Sequence, residues 1–123
     1  MAGNPGVWFE IYVQDMPRAR AFYEAVLQLR LTSLSAGPPE MWAFPGDPHG
    51  PGASGSLVRM EGMPSGGNST LIYFQCADCA VEGARVVPSG GRIVKDKFSI
   101  GQYGFIVLAI DTEGNMFGLH SMQ

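Results

Sequence analysis

The sequence predicts an α+β fold in which one unit, a strand followed by a helix and three more strands, occurs twice. Three observations predict it. Short stretches of alternating apolar residues lie between turns rich in glycine and proline, and two stretches with helical spacing each follow an aspartate. Those aspartates, Asp15 and Asp78, are separated by 78 − 15 = 63 positions, about half of the 123 residues. We therefore expect one domain with two modules, at about 6–62 and 68–123.

The first module begins with a strand over residues 8–13, whose apolar face carries Phe9, Ile11 and Val13. Asp15 stands at the N-cap of a helix predicted over residues 16–27, with a proline in its first turn. Strands are then predicted at 29–34, 40–44 and 56–60, with a loop at 45–55.

The second module follows a linker over residues 62–69, where Pro64, Gly66 and Gly67 interrupt regular structure. Its first strand is predicted at 70–76, and Asp78 caps a short helix that ends near residue 87. The remaining strands are predicted at 92–95, 104–110 and 116–122. In each module, we expect the apolar face of the first strand to pack on the helix of the same module.

Composition narrows the class of protein. The net charge is −3 and the eight Lys and Arg residues are scattered, which argues against nucleic acid as a partner. No apolar run approaches the roughly 18–20 residues of a membrane span, and no secretory leader is recognisable. Two cysteines are too few for a disulfide-built secreted domain. These features favour a cytoplasmic protein with neither nucleic acid nor membrane as partner.

Several segments together resemble the glyoxalase/bleomycin-resistance/dioxygenase superfamily, also called vicinal oxygen chelate, and in particular an uncharacterised bacterial subgroup of glyoxalase-like proteins. The resemblance covers essentially the whole chain. It is carried by Phe9-Glu10-Ile11-Tyr12-Val13, Ala21-Phe22-Tyr23-Glu24, Asp111-Thr112-Glu113-Gly114-Asn115 and Gly118-Leu119-His120-Ser121. It implies two βαβββ modules whose curved mixed sheets enclose a central cavity.

The resemblance also implies where a metal would be held, on the first and last strands of each module. The corresponding positions on the first strands are Trp8 and Leu71. The position on the last strand of the second module is Gly118, and its counterpart in the first module falls near Gly55. None of these side chains can ligate a divalent ion. We therefore expect no metal and no cofactor, and neither glyoxalase I nor dioxygenase activity of the metal-dependent kind.

Glu10 and His120 lie two positions from those ligand sites, so alternation directs both into the cavity implied by the fold. They are the candidate catalytic residues, as base and acid, and each is the candidate partner of the other. The other interpretation is structural: a carboxylate bonded within the cavity wall, and a core histidine satisfied by a neighbour. The remaining histidine, His49, is expected to be a solvated loop residue.

The candidate ligand-binding residues are mainly aromatic. Such side chains with one polar tip suit a planar organic ligand, although they also serve simply to fill a core. The set is Trp8, Tyr12, Trp42, Tyr73, Gln75 and Met116.

Cys76 and Cys79 lie between a strand and a helix N-terminus, where the pKa of a thiol can fall. A redox role and metal binding were weighed against packing. Alternation places Cys76 on the side that faces the helix, so we expect both cysteines to be reduced and packed.

Two functions follow. The first is binding of a small organic molecule without catalysis; the second is a lyase or isomerase that acts near a carbonyl through Glu10 and His120. A module for protein interaction alone is the weaker reading, because the implied fold encloses a pocket. A homodimer is compatible with the sequence and is not required by it.

Overall fold

The computed structural model describes residues 3–47 and 49–123, which contain two four-stranded sheets and two α-helices. Met1, Ala2 and Pro48, and with them one residue of the predicted loop 45–55, lie outside the described residues. The predicted α+β fold is confirmed. Its elements are β1 Trp8–Tyr12, α1 Met16–Leu27, β2 Thr32–Ala36, β3 Glu40–Ala43, β4 Ser54–Arg59, β5 Tyr73–Gln75, α2 Cys79–Val86, β6 Arg92–Ser99, a 3₁₀ turn Gly101–Tyr103, β7 Phe105–Ile110 and β8 Met116–Ser121.

The two sheets have the same topology. Their strand orders are β1-β4-β3-β2 and β5-β8-β7-β6. In each, the first strand pairs in parallel with the last, and the other neighbours are antiparallel. β1 and β5 are therefore both edge strands. The two strands lie near each other, as shown by the ring centroids of Phe9 in β1 and Phe74 in β5, which are 6.0 Å apart.

Both helices begin where the sequence predicts. The carboxylate of Asp15 accepts a hydrogen bond from the Arg18 amide, and that of Asp78 accepts one from the Ala80 amide, each at 3.0 Å. These bonds satisfy amides that have no partner inside the helix. The longer helix, α1, has 12 residues, so within the described ranges no helix is long enough to cross a membrane.

The hydrophobic core is shared between the modules. Phe22 and Tyr23 of α1 pack against Phe117 of the second sheet, with ring centroids 5.8 and 5.5 Å apart. The helix α1 therefore also packs across the module boundary, a contact that the alternation of β1 does not predict. Its aromatic side chains are long enough to cross the boundary, where Phe44 and Phe74 complete the cluster.

Glu113 joins the two modules. It belongs to the turn after β7, yet its Oε1 accepts hydrogen bonds from the amides of Gln14 and Asp15 at 2.8 and 2.9 Å. The guanidinium of Arg18 donates to both carboxylate oxygens, at 2.7 and 3.1 Å. Burial acts to raise the pKa of Glu113, but these bonds and one from Thr112 outweigh it and lower the pKa to about 2.

Asp111 makes a second link across the same boundary. The buried hydroxyl of Tyr23 donates to Asp111 Oδ2 at 2.6 Å. The amides of Glu113 and Asn115 both donate to Oδ1 at 2.8 Å, which closes the turn. Burial raises the pKa of Asp111, although the hydrogen bonds oppose that effect. The motif that carries part of the family resemblance is thus a structural junction.

Three strands differ from their predicted ranges by three residues or more at one end. β2 starts three residues late because the amides of Leu29 and Leu31 bond to the carbonyl and the carboxylate of Glu24, which ties this segment to α1. β5 is short because Asn68 fixes the preceding segment against the start of β8. β6 runs on to Ser99 through two irregularities in its pairing with β7, which hide its alternation.

Candidate functional site

An open groove of about 500 Å³ follows the free edge of β1. Its opposite wall is formed by the linker and by the start of β8. Aromatic and aliphatic side chains dominate the lining, and the polar groups are few. The lining consists of Trp8, Phe9, Glu10, Ile11, Tyr12, Tyr23, Pro64, Ser65, Gly66, Asn68, Thr70, Ile72, Asn115, Met116 and Phe117. We call it the first groove.

Glu10 is the polar centre of the first groove. Its side chain is exposed, and the Tyr12 hydroxyl donates to its Oε1 at 3.0 Å. The indole Nε1 of Trp8 makes a longer contact with Oε2, at 3.4 Å. The pKa of Tyr12 is raised mainly by its hydrogen bond to the Glu10 carboxylate. Burial of Tyr12 and the negative charge of Glu10 add smaller effects in the same direction. Alternation on β1 therefore brings two side chains, those of Trp8 and Tyr12, to one carboxylate.

The backbone of β1 also contributes to the groove. The Val13 amide bonds to the Val58 carbonyl, so alternation points the main-chain groups of Ile11 toward β4 and those of Glu10 and Tyr12 toward the free edge. The Tyr12 carbonyl accepts a hydrogen bond from Asn115 Nδ2 at 2.9 Å. The groove is thus bordered by one side of a strand that lacks a neighbour.

The linker forms a fixed wall, a role that the sequence analysis missed. Asn68 bonds through its side-chain amide to both the amide and the carbonyl of Met116, each at 3.1 Å. The Gly66 amide donates to Asn115 Oδ1 at 2.6 Å. Gly66 has φ +80°, and an added Cβ would come within 2.9 Å of the Gly114 carbonyl oxygen. The two asparagines were the available signal, since amide side chains commonly bridge backbone groups.

A second groove, of about 600 Å³, lies beside β5 and the end of β8. His120 lines it, but its Nε2 is 2.6 Å from the carbonyl oxygen of Tyr103. A carbonyl only accepts hydrogen bonds, so this nitrogen carries the proton. The full lining is Tyr73, Gln75, Cys76, Ala77, His120, Ser121, Met122 and Gln123.

The predicted site residues are thus divided. Four of them line the first groove, namely Trp8, Glu10, Tyr12 and Met116, and three line the second, namely Tyr73, Gln75 and His120. Trp42 lines neither groove; the guanidinium of Arg20 lies 3.4 Å from its ring centroid, and its Nε1 donates to Glu40 at 3.0 Å. The expected contact between Glu10 and His120 is therefore not made. His49 is exposed in its loop, as expected.

The positions that would hold a metal do not fit one. Gly118 lies opposite Tyr73 in the sheet, and a Cβ at Gly118 would come within 2.2 Å of the Tyr73 ring. The position in the first module that corresponds to Gly118 lies one residue away from Gly55, where the sequence analysis had put it. Gly55 pairs with Phe9 and shares its helix-facing side, whereas Glu10 pairs with Ser56. In the ranges 3–47 and 49–123, no three His, Cys, Asp or Glu side chains converge on one point.

Both cysteines are free thiols. Cys79 is fully buried in the core, and its amide donates a hydrogen bond to Ser121 Oγ at 2.9 Å. Cys76 is half-buried, and burial, with the charge of Glu82, raises the pKa of its thiol to about 12. Cys76 therefore stays protonated at neutral pH, which agrees with packing and disfavours a nucleophilic role.

Comparisons with known proteins agree with this architecture. The sequence model of the Glyoxalase/Bleomycin resistance protein/Dioxygenase superfamily matches residues 7–119. No functionally curated protein matches the chain in sequence.

Solved structures share the fold at low sequence identity. TnmS3, an antibiotic binding protein from Streptomyces sp. CB03234, is 23% identical with a TM-score of 0.70, over 98% of each chain. The hypothetical protein SA1046 from S. aureus is 16% identical with a TM-score of 0.71, over 98% of this chain and 95% of that one. Glyoxalase I from Zea mays is 16% identical with a TM-score of 0.73; the match covers 94% of this chain but only 45% of the maize protein.

Proposed function

The chain belongs to the Glyoxalase/Bleomycin resistance protein/Dioxygenase superfamily, and we propose that it binds a small, planar organic molecule in the first groove. One observation carries the proposal: a groove of about 500 Å³ is walled by aromatic side chains and contains a single carboxylate with fixed hydrogen bonds. This volume lies within the roughly 300–1,000 Å³ that is typical of small-molecule sites, and sparse polar groups are typical of them too. That TnmS3 binds an antibiotic supports the same class of activity.

The arrangement of polar groups favours binding over the lyase or isomerase reading. That reading needs Glu10 and His120 to reach one substrate, and they line different grooves. His120 also uses Nε2 in its bond to the Tyr103 carbonyl. Glu10 can still hold a ligand when no acid lies beside it. Binding therefore needs only the groups that the first groove contains. A homodimer and a cytoplasmic location stay predictions on which this proposal does not depend.

The two tryptophans allow a direct test. Trp8 lines the first groove and Trp42 lies outside it. In the Trp42→Phe variant, Trp8 is the sole indole emitter, and we expect the neutral probe anthracene-9-methanol to quench its fluorescence in a saturable, one-to-one manner.

The matched control is Trp8→Phe, which leaves Trp42 as the reporter. Its emission should change little with the same probe. If Trp42 responds and Trp8 does not, the ligand site lies elsewhere. If neither responds at millimolar concentrations of the neutral, cationic and anionic anthracenes described below, the proposed function is wrong.

A further inference from the structure

We propose that the natural ligand of the first groove carries a positive charge next to its aromatic part, as a protonated amine or a quaternary ammonium group. This rests on the proposed function and names the chemical class of its ligand. The cation would lie against the Glu10 carboxylate, between the rings of Trp8 and Tyr12.

The charge of the groove is the first observation. Glu10 is the only residue in the lining whose side chain is ionised at neutral pH, because the two lining tyrosines are neutral. The pKa of Tyr12 is raised by its bond to Glu10, and that of Tyr23 is raised further by burial beside Asp111. None of the described residues that line the groove is Lys, Arg or His. The groove therefore attracts cations and repels anions, in a chain whose net charge is −3.

The second observation is that Glu10 has no cationic partner. Among the residues that the structure describes, the ion pairs are Arg18–Glu113, Arg20–Glu24 and Lys97–Asp78. A carboxylate has about four acceptor positions, and the two contacts to Glu10 occupy about half of them. Because Glu10 is exposed and lines the groove, an ammonium group in the groove could donate to the remaining positions.

The third observation is how the carboxylate is held. Trp8 and Tyr12 both contact it through their polar tips, so a group that binds this carboxylate also lies close to their rings. Trp8 is 46% exposed, which leaves its indole free to contact a ligand. A cation beside a carboxylate and over an indole face gains from both, since the face of an aromatic ring is electron-rich. A neutral planar ligand would gain only from the rings.

Three probes with one ring system test the charge. In the Trp42→Phe background we would titrate 9-(aminomethyl)anthracene, which is cationic, anthracene-9-methanol, which is neutral, and anthracene-9-carboxylate, which is anionic. We expect the cation to bind roughly fivefold to tenfold more tightly than the neutral probe, and the anion most weakly. Added salt should reduce the preference.

Glu10→Gln keeps the shape of the side chain and removes the charge. It should abolish most of the preference for the cation, measured as the ratio of the cation and neutral-probe affinities in the same variant, since the ion pair contributes up to roughly fivefold to that ratio. Glu61→Gln is the matched control: it removes one exposed carboxylate outside the groove and should leave the preference intact.

The outcomes separate the two proposals. Equal binding of all three probes at Trp8, or a preference that Glu10→Gln leaves unchanged, overturns the cationic class while the proposed function stands. A loss of preference in Glu61→Gln as large as in Glu10→Gln would also overturn it, because the effect would then come from net charge. Absence of binding by all three overturns both.

Discussion

Glu113 and Glu10 are two glutamates near the module boundary, and the protein uses them in opposite ways. The Glu113 side chain is fully buried, and four neighbouring groups donate to it, from Gln14, Asp15, Arg18 and Thr112. Glu10 is exposed, and among residues 3–47 and 49–123 it is contacted only by its own strand neighbours and has no cationic partner. A carboxylate whose acceptors are saturated holds the fold together, whereas one with unused acceptors is available to a ligand.

The largest effect is expected at the buried glutamate. Glu113→Ala leaves the amides of Gln14 and Asp15 without their acceptor and removes the partner of Arg18. We expect the free energy of unfolding to fall by about 3 kcal/mol. Urea denaturation measures it.

The control for this change is Arg18→Ala, which removes one donor that is half exposed and leaves the amide bonds to Glu113 in place. Its cost should be clearly smaller than that of Glu113→Ala, because an exposed partner in an ion pair contributes little to stability. If Glu113→Ala is as stable as the unmodified protein, the turn is not the structural junction described above.

Acid should weaken the contribution of Glu113 to the free energy of unfolding in a defined range of pH. The folded-state pKa of Glu113 is about 2, below its ordinary value of 4.5, so its stabilisation is fully present above pH 4.5 and is lost as the pH falls toward 2. Asp111 acts the other way, because its raised pKa means that protonation in acid favours the folded state.

Comparing the unmodified protein with Glu113→Gln separates the effect of Glu113 from that of Asp111, since Asp111 is present in both proteins. The difference in unfolding free energy between the unmodified protein and Glu113→Gln should be constant near pH 7 and shrink below pH 4.5. A difference that does not depend on pH would mean that the charge of Glu113 contributes nothing to stability.

The smallest effect on stability is expected at Glu10. Because Glu10→Gln keeps the shape of an exposed side chain, the free energy of unfolding should change by less than about 0.5 kcal/mol. Thermal and urea denaturation measure it. A loss above about 1 kcal/mol would show that Glu10 is a structural residue like Glu113, and the contrast between them would disappear.

Local chemistry made much of the fold predictable from sequence. The caps Asp15 and Asp78 and the full range of α1 follow from hydrogen bonds within a few residues of each other. Alternation also placed Trp8, Glu10 and Tyr12 together. The ends of β2 and β5 were not predictable, because they depend on bonds from Glu24 and Asn68 to backbone groups elsewhere.

The candidate site was predictable only in part, and for a geometric reason. Alternation tells which face of a strand a side chain occupies, but not where along the face its neighbours lie. Glu10 and His120 were assigned to one cavity on this basis, yet they line separate grooves. The linker wall was missed because its role arises from Asn68 and Asn115, which are 47 positions apart (115 − 68 = 47).

The contact between Gly118 and Tyr73 affects how this chain could evolve. In the family pattern, position 118 would carry a metal-binding carboxylate, but here any Cβ meets the ring of Tyr73 at 2.2 Å. A single substitution of Gly118 would therefore have to push that ring aside before a new side chain could reach the groove. A metal-binding side chain at position 118 is therefore compatible with this sheet only if the Tyr73 ring changes its rotamer or Tyr73 is itself replaced.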